Sequence, residues 1–252
     1  MNLETTRHSD DVLQHAFDVE SITGILWTPT VEPFAPRPLV CSIHGGGQHS
    51  QHPAAMARAT ALIEAGLTVL SLDAPGHGRR QPTDEDIEFR ATMQERRESG
   101  RPFDDLLLSF NARIASQAVP EWLTVLDVLA SQDHLSPSQP LGLWGVSLGG
   151  VVAMQLLATD ERFAAAIVGL VGGPDINDYV ERVTAPLLFL MQWDDELVAR
   201  ADALETFDRI GSTSKRLHAN PGGHTQVPYA EYGLCVDFLH TTLTTAGLDF
   251  GA

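Results

Sequence analysis

Short continuous apolar runs alternate along this chain with longer stretches whose apolar residues recur every three or four positions. The runs Pro38–Ile43 (PLVCSI), Leu67–Leu72 (LTVLSL), Pro140–Val146 (PLGLWGV), Phe163–Val171 (FAAAIVGLV) and Pro186–Met191 (PLLFLM) have the length of strands. Their lack of polar alternation predicts burial on both faces. Helical spacing marks Pro53–Ala65, the VVAMQLLA segment from Val151, Leu197–Ile210 and about Ala230–Thr244, while Leu106–Ala130 reads as a helical stretch interrupted at Pro120. Residues 11–19 and 22–28 predict two opening strands on an antiparallel edge, with a polar turn around Glu20-Ser21, and Ser214–Ala219 predicts a short late strand. Strand, helix, strand with short loops is the βαβ unit of a parallel sheet with helices packed on it.

One segment breaks the rhythm. From Arg79 to Asp105 the chain is charged, and its middle (DEDIEFRATMQERRE) has helical composition but only a thin apolar stripe of Ile87, Phe89 and Met93. It reads either as a solvated helix over the sheet's edge or as a lid or pocket wall. Composition adds bounds. With 252 residues and 43% hydrophobic content the chain can bury one large core, and no linker or composition break divides it, so a single domain over 1–252 is expected. The first residues lack a basic start followed by an apolar run, which points to a soluble, cytoplasmic protein. Cys41 and Cys235 read as small core residues, and neither Cys nor His shows metal-ligand spacing. The net charge of −17, from 16 basic and 33 acidic residues, argues against nucleic acid and anionic membrane surfaces as partners.

The chemistry gathers where the third run ends. Gly145-Val146-Ser147-Leu148-Gly149 joins a strand directly to a helical pattern. A serine at such a turn takes a strained backbone, and the residues two before and two after it must be small or strand and helix collide. Here the chain resembles the α/β-hydrolase superfamily, in particular its esterase and dienelactone-hydrolase-like serine hydrolases, and the Ser147 turn is similar to that family's nucleophile elbow. The resemblance implies an α/β fold with an eight-stranded, mostly parallel sheet, helices on both faces, and an order of Ser, acid, His along the chain. The 14 residues from Gly172 to Ala185 leave room for a minimal cap at most.

A serine hydroxyl attacks only if a positioned base takes its proton, and the base needs a carboxylate to orient it. His224, in Asn220-Pro-Gly-Gly-His after the late strand, stands where the family places its histidine. For the acid, the family's Asp-x-x-Val register after the preceding strand selects Asp195. Asp194 is the neighbouring alternative, Asp175 or Asp178 would serve variants with an earlier acid, and Asp195 could instead merely cap the following helix. Two backbone N–H groups should face the developing oxyanion: that of Leu148, at a helix start, and that of Gly46 in His44-Gly45-Gly46-Gly47. Gly45, Gly47, His49 and Trp193 are candidate substrate-binding residues. His44 reads as a structural residue that hydrogen-bonds its loop, and Asp73 and His77, in Asp-Ala-Pro-Gly-His-Gly, match a structural turn of the family. Neither Gly-x-Gly-x-x-Gly nor Gly-Lys-Ser/Thr is present, which discounts nucleotide binding.

The expectation is therefore a cofactor-independent serine hydrolase of a carboxylic ester with a small or medium acyl group, a small-molecule substrate. Thioesterase, amidase, C–C hydrolase and acyltransferase chemistry would use the same five residues. A non-catalytic receptor on the same fold would show a degraded triad or oxyanion loop. Access should be controlled by Arg79–Asp105, Gln48-His49-Ser50 and Trp193, and the negative charge should repel polyanions such as acyl-CoA unless Arg79-Arg80 or Arg96-Arg97 reverses the field locally.

Overall fold

The computed structural model describes residues 2–132, 135–136 and 138–249. Strands Glu4–Arg7 (β1), Val12–Val19 (β2) and Ile22–Pro29 (β3) form an antiparallel meander. Leu39–Ile43 (β4), Thr68–Leu72 (β5), Leu141–Val146 (β6), Phe163–Gly169 (β7), Leu187–Gln192 (β8) and Lys215–Asn220 (β9) pair in parallel, and β3 joins β5 antiparallel. The order is β1-β2-β3-β5-β4-β6-β7-β8-β9. The sheet thus has nine strands rather than the eight implied by the resemblance. The added one, β1, is exposed at every position and carries no apolar run by which a sequence pattern could announce it.

The continuous apolar runs are strands covered on both sides. In β8, Leu187, Phe189 and Met191 enter one core, and Leu188 and Leu190 enter the other. Period-2 alternation sends successive side chains to opposite faces, so a strand sandwiched between helices is apolar throughout. The first core packs against Asp104–Ser131 (α3) and Leu148–Thr159 (α4), through residues such as Leu126, Val152 and Met154. The second packs against Pro53–Glu64 (α1) and Tyr229–Asp249 (α7), through Leu62 and Leu239. Cys41 and Cys235 are buried free thiols within these cores.

The predicted break at Pro120 is absent: α3 runs through it. Proline removes the bond to the carbonyl of Ser116, but Ile114, Ala115 and Ala118 on one side and Trp122, Val125, Leu126 and Leu129 on the other are all buried. Tertiary packing therefore outweighs the local penalty. The charged segment forms Asp84–Glu98 (α2), which opens with a Thr83/Asp86 capping box and buries only Asp86. It is a solvated helix, anchored by the Arg113–Asp86 ion pair and by Phe89 stacked on Phe110 at 3.7 Å between ring centres. Two short turns, Pro174–Asn177 (α5) and the 3₁₀ turn Val180–Arg182, fill the space after β7, and Arg200–Arg209 (α6) follows β8.

The connections run one way from β4 to β5 and the other way from β6 onward, so the strand order reverses between β4 and β6. Such a reversal leaves a crevice at the carboxyl ends of the two strands. Ser147 follows β6, and the His44–Gly47 loop follows β4.

Candidate active site

Ser147 sits at φ 58° and ψ −128°, a left-handed conformation that costs a side-chain-bearing residue about 1–3 kcal/mol. Its surroundings hold it there. The Ser147 N–H donates to the Gly169 carbonyl at 3.0 Å, and its own carbonyl accepts from Gly150 and Val151 at 2.8 and 3.1 Å, starting α4. A Cβ on Gly145 would collide with the Gly149 carbonyl, and one on Gly149 would lie 2.6 Å from the Ile43 oxygen. The two flanking glycines are therefore steric necessities of the turn.

His224 Nε2 lies 2.9 Å from Ser147 Oγ. On the other side of the ring, Nδ1 lies 2.8 Å from Asp195 Oδ2 and 3.0 Å from Oδ1. Both side chains are withdrawn from solvent, His224 at 8% and Asp195 at 3% exposure. Asp195 Oδ1 also accepts the N–H groups of Leu197 and Val198, at 2.8 and 3.0 Å, so turn-capping and contact with the histidine coincide in one side chain. Burial alone would raise the Asp195 carboxyl, but the hydrogen bonds from His224, Leu197 and Val198 outweigh it and hold the group below the ordinary carboxylate range. Asp194 points away: it is exposed and lies 3.6 Å from Arg200. Asp178 is exposed on the loop after β7, and the side chain of Asp175 lies outside the described residues.

The loop bearing His224 is stapled to the loop bearing Asp195. Trp193 and Asp194 donate their N–H groups to the Asn220 and Gly222 carbonyls at 2.7 and 3.1 Å. Glu196 Oε2 accepts the His224 N–H at 2.9 Å, and the buried Gln192 amide reaches the Pro221 and Gly223 carbonyls at 3.3 Å each. Neither Gln192 nor Glu196 stood among the residues singled out from the sequence. The available signal, for Gln192, was a polar side chain closing the otherwise apolar strand β8.

The oxyanion candidates are adjacent in space. A Cβ built on Gly46 would lie 3.9 Å from the Leu148 Cβ. Leu148 opens α4, and the first N–H groups of a helix have no intrahelical partner. The Gly45 carbonyl accepts from His44 Nδ1 at 2.9 Å and from the Gln48 N–H at 3.2 Å. In a trans peptide the next N–H points the opposite way, so these two bonds set the direction of the Gly46 N–H. His44 Nε2 accepts the Ala74 N–H at 3.0 Å, which makes His44 the structural residue of this loop. Asp73 likewise accepts from Thr23, Ser50 and Arg79, and His77 donates from Nδ1 to the Pro75 carbonyl.

Burial pushes the His44 imidazole down to about 4, with the bond to the Gly45 carbonyl opposing and His77 assisting the shift. The unfolded chain, with an ordinary histidine near 6.5, takes up that proton first as pH falls. Stability should therefore be fully present above about pH 6.5 and drain away toward pH 4, by up to about 3 kcal/mol from this residue. His77, also lowered by burial, acts with the same sign. Urea unfolding at pH 7 and pH 4.5 checks this: the His44→Gln variant should be less stable at pH 7 yet flatter across the interval.

Ser147 and His224 open into a cavity of about 410 Å³. Its walls come from the start of α3 (Leu107, Leu108, Asn111), from α4 (Val151, Gln155) and from the loops after β7 and β8. Trp193 and His49, candidate substrate-binding residues, are not among its lining residues. Trp193 is 46% exposed with the Arg200 guanidinium 4.0 Å above its ring, and His49 stands edge-on to His52. Gly45 and Gly47 stay with the oxyanion loop, outside the cavity wall. Of the segment Arg79–Asp105, Asp104 alone among the described residues reaches the cavity. Arg80 is clamped bidentately by Glu121, and Arg79 pairs with Asp18, so neither is free for a distant anion.

Residues 40–246 match the family model described as the alpha/beta hydrolase family. The chain belongs to that family. The fold recurs in solved structures. A cold-adapted esterase from an Arctic intertidal metagenomic library, in a PEG-bound complex, is 28% identical with a TM-score of 0.77, covering 96% of this chain and 100% of that one. An acetyl xylan esterase from Paenibacillus sp. R4 is 14% identical with a TM-score of 0.69, covering 96% and 88%. Est1E from Butyrivibrio proteoclasticus, solved with ferulic acid bound, is 19% identical with a TM-score of 0.64, covering 91% and 99%. The latter two likenesses concern the fold alone. No curated protein sequence matches the chain. This hydrolase-family chain has, among its described residues, no helix long and apolar enough to cross a membrane and no cluster of side chains fit to hold a metal ion.

Proposed function

We propose that the protein hydrolyses carboxylic esters through an acyl-enzyme on Ser147. One observation carries the reading: the unbroken chain of hydrogen bonds from Ser147 Oγ through the His224 ring to Asp195, at the mouth of a cavity. The metagenomic esterase's resemblance over nearly the whole chain agrees with it.

Ser147 Oγ attacks the ester carbonyl while His224 Nε2 takes its proton. Asp195, held ionised by its hydrogen bonds, keeps the Nδ1–H tautomer and stabilises the imidazolium. The Gly46 and Leu148 N–H groups receive the oxyanion, each contributing about 3–4 kcal/mol to the transition state. The imidazolium then protonates the departing alcohol. In the second half-reaction water, deprotonated by His224, releases the acid and restores Ser147. These steps draw only on this chain's residues and water. A receptor that had lost catalysis would not be expected to keep each of these groups within bonding distance.

A panel of neutral p-nitrophenyl esters from acetate to octanoate tests the reading. Turnover that peaks at a small or medium acyl length is expected of a 410 Å³ cavity. An enzyme inactive on the panel yet active on thioesters or amides would move the assignment to that class.

A further inference from the structure

We propose that the cavity beside Ser147 selects esters whose buried group is uncharged or cationic, and rejects those whose buried group carries a carboxylate. This deepens the ester-hydrolase reading and rests on it. The wall is largely apolar, and its carboxylate side chains besides Asp195 are Asp104, Glu196 and Asp202, with no Arg or Lys among the described lining residues.

The oxyanion donors belong to the loop after β4 and the start of α4, whereas the cavity extends under the loops after β7 and β8. An ester carbonyl pointing its oxygen at Gly46 and Leu148 therefore leaves one of its two flanking groups, acyl or alkoxy, to enter the cavity. That group loses water on entry. A carboxylate would need a cation or a helix N-terminus in exchange. Two helix starts beside the cavity are already occupied by negative charge, with Asp104 in the first turn of α3 and Asp202 in the first turn of α6, and the start of α4 is taken by the ester oxyanion. Three arginines of the flanking segments are committed elsewhere. Arg200 donates to the Trp193 carbonyl and stacks on its ring, Arg80 is held by Glu121, and Arg96 by Asp105. Asn111 and Gln155 offer neutral amides, which replace only part of an anion's lost hydration. An ammonium or hydroxyl group, in contrast, finds three carboxylates as acceptors.

The test uses two matched series at low ionic strength. One varies the acyl side of a p-nitrophenyl ester: pentanoate, the hemiester of glutaric acid, and 4-(trimethylammonio)butanoate. The other varies the alkoxy side of an acetate ester: butyl, 3-carboxypropyl and choline. In at least one series the carboxylate member should show kcat/KM about tenfold or more below the neutral member, with the cationic member equal to or above it. The gap should narrow as salt is added. In the Asp104→Asn/Asp202→Asn double variant, the anionic-to-neutral ratio should rise several-fold; because the ratio is taken within each protein, a general loss of activity cancels. Equal handling of neutral and anionic members in both series, or an unchanged ratio in the double variant, would overturn the proposal alone. No turnover of any member would overturn the ester-hydrolase reading and this selectivity with it.

Discussion

Replacing Ser147 or His224 by alanine should lower kcat on any ester by about 10³-fold or more, with KM and the unfolding midpoint little changed. Neither side chain packs into the two cores on either side of the sheet. The Ser147 hydroxyl has the His224 ring as its hydrogen-bond partner, at 2.9 Å. Because the two act as one unit, the double variant should be scarcely worse than either single one. Near-normal turnover by purified Ser147→Ala protein would remove the mechanism, whereas a loss confined to His224→Ala would leave Ser147 without a role in the slow step. Steady-state kinetics with a chromogenic ester, alongside thermal unfolding, decides among these.

Asp195→Asn should cost about 10³- to 10⁴-fold in kcat at neutral pH, and Asp194→Asn less than about threefold. The reason is specific to the hydrogen bonds around Asp195. Its Oδ1 accepts from Leu197 and Val198, while Oδ2 makes the shorter contact with His224 Nδ1. In the asparagine variant the two backbone donors keep the amide oxygen, so the NH₂ group faces the histidine. Nδ1 must then accept, Nε2 carries the proton, and the ring can no longer take the proton from Ser147. Asp194, exposed beside Arg200, has no such link. Activity of Asp195→Asn should recover partly at high pH, where the serine needs less help. The reverse ranking of the two variants would place the orienting acid at Asp194.

The strands and the elbow could be read from sequence because their determinants are local. A strand buried on both faces must be apolar throughout, and the Ser147 turn must have glycine at 145 and 149, since the strand and helix backbones touch there. Strand β1 could not, because an exposed edge strand needs no apolar residue and is specified by its partner β2. The continuity of α3 through Pro120 was hidden for a related reason: the local rule forbids it, and only packing from both sides overrides the rule. The choice of Asp195 over Asp194 came from family register; in the structure Asp195 lies 2.8 Å from His224 Nδ1 and Asp194 lies 3.6 Å from Arg200. Trp193 and His49 lie off the cavity wall, since nearness in sequence to a reactive residue says nothing about which side of the loop faces the cavity. The cavity wall itself comes from the start of α3, some 40 residues before Ser147, and a contact at that separation leaves no pattern in a single sequence.

What stands or falls with all of this is a covalent bond to one hydroxyl. Treatment with a fluorophosphonate, followed by peptide mapping in the mass spectrometer, reads that bond. The expected result is one stoichiometric adduct on the peptide containing Ser147, absent in Ser147→Ala and strongly slowed in His224→Ala. No adduct on the wild-type protein, or an adduct on another residue that survives in Ser147→Ala, would contradict the account.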